Sequence, residues 1–170
     1  MADCSIDPAR TDEAWLQPVE VDVVIEVPRG SFLKRGSNGS IDFVSPLPCP
    51  YNYGAIPTHL GLEGDLLDAL VLGPRLRLGT CRRLRAWGAV TLTDRGMVDD
   101  KLICSDRRPS ADEIRKVLRF FRFYSRCKSL LNFARRRPGP NACDGWRSAA
   151  DALARARPLG NAPPRTPPPF

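Results

Sequence analysis

An α+β domain, a small antiparallel barrel or curled sheet covered by helices, is the fold class this sequence predicts. Three observations lead there. Residues 20–27 alternate apolar and polar side chains with a period of two. Short apolar stretches parted by Gly and Pro continue to residue 104, and helical spacing replaces them after residue 110. A length of 170 residues suits one such domain.

The elements follow in order. Residues 1–19 contain Pro8 and Pro18 without periodicity and are expected to form a loose N-terminal arm. Val21, Val23, Ile25 and Val27 alternate with Glu20, Asp22, Val24 and Glu26, the pattern of a half-buried strand. Further strands are expected at Ser40–Val44, Tyr51–Ile56, Leu67–Leu72, Cys81–Thr93 and Lys101–Cys104. Ser110-Ala-Asp-Glu113 reads as a capping box, and Ile114, Val117, Leu118, Phe121 and Tyr124 follow at helical spacing. A second helix is predicted over Trp146–Ala156, with Trp146, Ala149, Ala150 and Leu153 on its buried side. Residues 20–157 thus form the domain, and six prolines in 158–170 predict a disordered tail.

Composition narrows the class. At 42% hydrophobic and 26% charged residues, the chain matches neither a disordered nor a fibrous protein. Its longest apolar run, Ala69–Leu72, is far too short to cross a bilayer, and the first residues carry acids with no apolar core of a secretory signal. A cytoplasmic protein without a membrane partner is expected. Cysteines at 4, 49, 81, 104, 127 and 143 form no C-x-x-C and have only His59 beside them, which argues for free thiols over zinc or disulfides. The net charge of +7 is divided unevenly, with 11 basic and 15 acidic residues in 1–106 against 14 and 4 in 107–158. Such asymmetry suits a polyanionic partner or substrate, or equally a solvated basic helix.

The acids of the β region carry the chemistry. Glu63-Gly-Asp65-Leu-Leu-Asp68 runs from a loop into an apolar strand; Thr93-Asp94 closes one strand and Asp99-Asp100-Lys101 opens the next. If residues 63–65 are extended, Glu63 and Asp65 share a face, with Asp68 opposite them. Two carboxylates at 4 Å repel by about 4 kcal/mol at an effective dielectric of 20, so a converging cluster calls for cations. Oxygen donors without His or Cys favour Mg²⁺, then Mn²⁺ or Ca²⁺. Water held between such ions becomes a hydroxide near neutral pH, and a neighbouring carboxylate takes its proton. Taken singly, each acidic segment is also compatible with an ordinary solvated turn.

Together these segments resemble the family I soluble inorganic pyrophosphatases. The similarity lies in Val24–Pro28, Pro50-Tyr-Asn-Tyr-Gly54, Glu63–Val71, Thr93-Asp94 with Asp99-Asp100-Lys101, Phe120-Phe-Arg-Phe-Tyr124 and Gly145-Trp146, in the family's order. It implies a closed, OB-like, five-stranded antiparallel β-barrel flanked by two C-terminal helices. It implies Mg²⁺-dependent hydrolysis of pyrophosphate to two orthophosphates by a metal-activated hydroxide. Residue by residue, Asp65 corresponds to the general base, and Tyr53 joins it as a catalytic group holding phosphate. Glu63, Asp65, Asp68, Asp94 and Asp99 correspond to metal ligands. Lys34, Lys101 and Tyr124 correspond to groups binding phosphate oxygens, and Glu26 to a supporting acid. The resemblance also implies a homo-oligomer, without fixing a subunit number.

The sequence departs from that pattern in places. Glu63 stands where the family has Asp, Gly36 where it has an acid, and Ser125 where it has a Lys after the late Tyr; an expected Arg before Tyr53 has no counterpart. Arg35, Arg126 and Lys128 are the neighbouring cations that can compensate. Two other readings follow. One is a family homologue that has lost turnover. The other is an OB-like module binding nucleic acid or another polyanion, against which the acidic cleft loops and the absence of strand-borne aromatics among basic residues both argue.

Overall fold

A computed structural model of the chain describes residues 17–35, 41–44, 48–134 and 139–160; the expected N-terminal arm up to residue 16 and the tail beyond residue 160 lie outside them. Among the described residues, nine strands and two helices follow in the order β1 (Val19–Val27), β2 (Leu33–Arg35), β3 (Ile41–Val44), β4 (Asn52–Leu60), β5 (Leu66–Val71), β6 (Cys81–Asp94), β7 (Met97–Ser105), α1 (Ala111–Ala134), β8 (Asn141–Arg147), α2 (Ala149–Arg155) and β9 (Arg157–Pro158). The order β1-β4-β5-β7-β6 closes on itself because β1 also pairs with β6, making a five-stranded barrel. β2 and β3 form a separate hairpin.

The sheet is mixed. Every barrel pairing is antiparallel except β5 on β7, which run parallel with Asp68 opposite Lys101. Alternation along β1 buries Val21, Val23, Ile25 and Val27, as the sequence predicts. Gly54 of β4 lets the backbones of β1 and β4 approach, since a Cβ there would stand 2.1 Å from the Val24 carbonyl oxygen. Arg95 and Gly96, both at positive φ, make the two-residue turn from β6 to β7.

Two apolar layers share this sheet. Val23, Ile25, Leu67, Ala69, Leu102 and Cys104 pack with Ala149 and Ala152 of α2, whereas Leu70, Val90, Leu92 and Ile103 pack with Val117, Leu118 and Phe121 of α1. The capping box forms as predicted: Glu113 N–H donates to Ser110 Oγ (3.2 Å) and Ser110 N–H to Glu113 Oε2 (2.8 Å).

The second helix starts later than the sequence suggests. Trp146 lies on β8, Ser148 is the N-cap, and Ala149 and Ala152 are buried while Ala150 is exposed. The cause is β6, whose 14 residues outrun β1: its first half pairs with β1 and its second half, Ala89–Asp94, is completed by β8. Gly88 makes room for the Trp146 ring, because a Cβ would lie 2.2 Å from Cζ2. His59 lies on β4 opposite Pro158 of β9. Cysteines 49, 81, 104, 127 and 143 are free thiols. No helix among the described residues is long and apolar enough to cross a membrane.

Candidate active site

Strand alternation decides which acids meet. On β7, Asp99, Lys101 and Ile103 share the face turned toward α1, while Asp100, Leu102 and Cys104 face the opposite way. On β5, Asp68 and Leu70 occupy the α1 side and Leu67, Ala69 and Val71 the other. Parallel pairing then sets Asp68 beside Lys101. Glu63 reaches the pair from the preceding loop.

The result is a lysine among three carboxylates. Lys101 Nζ donates to Asp68, donates to Asp99 Oδ1 at 2.5 Å and stands 3.9 Å from Glu63 Oε1. Its side chain is 6% exposed, so these charges meet largely out of water. Burial by itself lowers the Lys101 pKa, but the charges of Asp68, Tyr53, Asp99 and Glu63 outweigh it and hold the ammonium well above the usual lysine range. Glu63 is pushed up to about 7 by burial first, then by Asp99 and Asp68, against the attraction of Lys101. The Tyr53 phenol is held well above its ordinary value by burial and by Asp68, to which it is hydrogen-bonded. Its ring centroid lies 6.0 Å from Lys101 Nζ.

A second cluster adjoins the first. Asp94, Asp99, Tyr124, Lys128 and Asn141 line one cleft between the ends of β6–β8 and α1. Lys128 Nζ donates to Asp94 Oδ2 at 2.7 Å and sits 5.8 Å from the Tyr124 ring centroid, one helical turn earlier. Tyr124 is steadied by stacking on Phe120, whose ring centroid is 6.3 Å away. Burial opposes the Lys128 charge, but Tyr124 and Asp94 raise its pKa above the ordinary value.

Asp65 and Arg126 stand apart from these clusters, while Glu26 borders the strand that carries Tyr53. Gly64, at φ +92°, turns the chain, and Gly61 N–H donates to the Asp65 carbonyl at 2.8 Å. Residues 63–65 are therefore a turn and not an extended segment, so Glu63 enters the cluster while Asp65 is exposed beside it. Glu26 is half-buried at the bulge between the Ile25–Gly54 and Val27–Tyr53 pairs. Arg126 is exposed, about 160° around α1 from Lys128. The side chains of Lys34 and Arg35 lie outside the described residues.

Two positioning residues are missing from the sequence reading. Asn52, fully buried, accepts from Arg29 N–H (3.0 Å) and Leu76 N–H (2.8 Å) and donates to the Pro74 carbonyl (2.8 Å), which anchors the strand that carries Tyr53. Asp100 accepts from Thr91 Oγ1 at 2.6 Å and from Arg155 Nε and an Arg155 Nη at 2.9 Å each. Both are polar residues on the far side of a strand from a site residue, which is the only signal the sequence carries for them.

The donor set suits a hard divalent ion. Glu63, Asp68 and Asp99 each offer an oxygen, all within 4.8 Å of one another. Opposite ligands of an octahedral Mg²⁺ are about 4.2 Å apart, close to this spread. An ammonium already occupies the place between these oxygens, so the cluster has been built around positive charge.

Comparisons with known proteins point to one family. Residues 23–154 match the family model described as inorganic pyrophosphatase. The chain is 30% identical over 165 residues to the inorganic pyrophosphatase of Saccharolobus solfataricus, covering 82% of this chain and 90% of that one. It is 36% identical over 95 residues to that of Gluconobacter oxydans, where the match spans 51% of this chain and 55% of the relative. Among solved structures, inorganic pyrophosphatase from Thermus thermophilus superposes with a TM-score of 0.66 at 27% identity, covering 82% of this chain and 88% of that one.

Proposed function

From the premise that this chain belongs to the soluble inorganic pyrophosphatase family, we propose that it hydrolyses pyrophosphate to two orthophosphates with Mg²⁺ as cofactor. The observation that carries this reading is the triad Glu63, Asp68 and Asp99 gathered around Lys101. Glu63, Asp65, Asp68, Asp94 and Asp99 are the residues that would hold the ions. When bound, the ions supply charge neutralisation for the phosphoryl oxygens and acidify nearby water.

The chain's own residues divide the remaining work. Asp65 has no hydrogen bond or ion pair to its carboxylate among the described residues, so it is free to accept a proton from attacking water. Tyr53 stays a phenol at any working pH and therefore donates, to Asp68 in this structure and, on this reading, to a phosphate oxygen of bound substrate. Lys101 donates to Asp99, Tyr124 lines the cleft with Asp99, and Lys34, a residue of β2, takes a phosphate-binding role from the family resemblance alone. Glu26, aimed by its bulge, supports the cleft at Tyr53. Arg35 and Arg126 remain further candidate cations, Arg126 being exposed about 160° around α1 from Lys128.

Phosphate release from pyrophosphate tests the reading. Turnover with Mg²⁺ that stops on chelation, and that falls at least 100-fold in Asp65→Asn with unchanged circular dichroism, is expected. A folded wild-type chain that releases no phosphate at any Mg²⁺ concentration would be a homologue without turnover.

A further inference from the structure

The two lysines of the site are bound very differently. Lys101 is enclosed by three carboxylates and cannot leave without exposing them to one another. Lys128 has one carboxylate partner, Asp94, and its side chain is 30% exposed. Asp94 is fixed: it ends β6 and is paired on one side with Met97 and on the other with Asn141. Its Oδ2 accepts from Lys128, while its Oδ1 is buried with no hydrogen bond among the described residues and has Arg95 Nε at 3.9 Å as an ion-pair partner. A buried carboxylate oxygen that lacks a hydrogen bond on the wall of a cleft calls for an explanation, and a bound cation is one that supplies it.

We propose that Asp94 exchanges cations: the Lys128 ammonium holds it in the metal-free chain, a divalent ion replaces that ammonium, and the released Lys128 then binds a phosphoryl oxygen of the substrate. The inference rests on the reading of Asp94 as a metal ligand. Oδ2 is directed at Nζ at hydrogen-bond distance, so the ammonium occupies the approach that another cation held by this oxygen would use. Once displaced, the ammonium stays over the cleft, because its four-carbon stem rises from α1 one turn after Tyr124, and both residues line the cleft with Asp99. Metal binding thereby unmasks a phosphate-binding cation, so the substrate site gains positive charge twice from one event.

Mn²⁺ titration followed by calorimetry, and binding of methylenediphosphonate in its presence, test this without turnover. Removing a competing half-exposed ion pair should tighten Mn²⁺ binding in Lys128→Met about 5-fold. The same variant should lose roughly 10-fold in affinity for the diphosphonate, and Lys128→Arg should keep most of it. Mn²⁺ affinity equal to or weaker than wild type in Lys128→Met overturns the exchange. Tighter Mn²⁺ with unchanged diphosphonate affinity overturns the handover to substrate. Asp94→Asn separates the two levels: if it leaves Mn²⁺ binding untouched, Asp94 is no ligand and the underlying reading fails, whereas loss of a site there with no change in Lys128→Met sinks only the exchange. Arg119→Gln, an exposed change elsewhere on α1, should leave both measurements at wild-type values.

Discussion

Asp68 and Lys101 are register partners across the one parallel strand pair of the barrel, and their side chains are joined as an ion pair within a shell of two further carboxylates. Removing the lysine leaves three acids facing one another. Lys101→Met is expected to cost about 3–5 kcal/mol of stability in chelator, since breaking a buried pair strands its charge. Millimolar Mg²⁺ should recover much of that loss. Thermal unfolding of the variant with and without Mg²⁺ measures both, and equal melting temperatures in the two buffers would contradict the assignment.

The raised pKa of Glu63 has a definite sign. A carboxyl group at about 7 in the folded chain, against 4.5 in the unfolded one, binds more protons when folded between those values. Stability from this group is therefore fully present below about pH 4.5 and is lost as pH rises toward 7. The difference should reach up to about 3 kcal/mol and vanish in Glu63→Gln. Urea unfolding of both proteins in chelator at pH 5 and pH 8 compares them directly. In the same pH range, adding Mg²⁺ to weakly buffered wild-type protein should release protons, and Glu63→Gln should release fewer.

Arg155 fastens α2 to the back of the site strand without touching the cleft. Arg155→Met leaves the buried Asp100 with Thr91 alone, and a loss of about 3 kcal/mol is expected. Because Asp100 faces away from Asp99, the KM of the folded variant should match wild type. A shifted urea midpoint with unchanged KM is the expected pair of results; a raised KM would place Arg155 in the machinery.

Gly88 and Trp146 are matched in shape. A methyl at position 88 would overlap the indole, at 2.2 Å from Cζ2 and 2.6 Å from Nε1. Gly88→Ala should cost about 1–3 kcal/mol as the ring is pushed outward. A red shift of tryptophan emission reports the displacement, and an unshifted spectrum at wild-type stability would show that the ring repacks freely.

Local pattern was enough for much of this molecule. The period-two run Val21–Val27, the Ser110–Glu113 cap and the apolar spacing along α1 were legible because each depends on neighbours a few residues apart. Glu63, Asp68 and Asp99, which meet around Lys101, were named beforehand through the family resemblance. β8 was not: Asn141, Asp144 and Gly145 are poor strand formers, and the segment extends only because the far half of β6 offers it an open edge.

Sequence alone determined which side chains this protein brings to the problem: a closed group of acids, two tyrosines, the lysines and the strand-then-helix order that carries them. Tertiary structure decided which of them meet. Asp99 joins the site while Asp100 holds a helix, Glu63 enters while Asp65 stays at the rim, and Lys128 reaches Asp94 while Arg126 points elsewhere. Those choices depend on strand register, on a turn at Gly64 and on the packing of α1 against the sheet. Each is fixed by contacts between segments far apart in the chain, and no local stretch of residues encodes them.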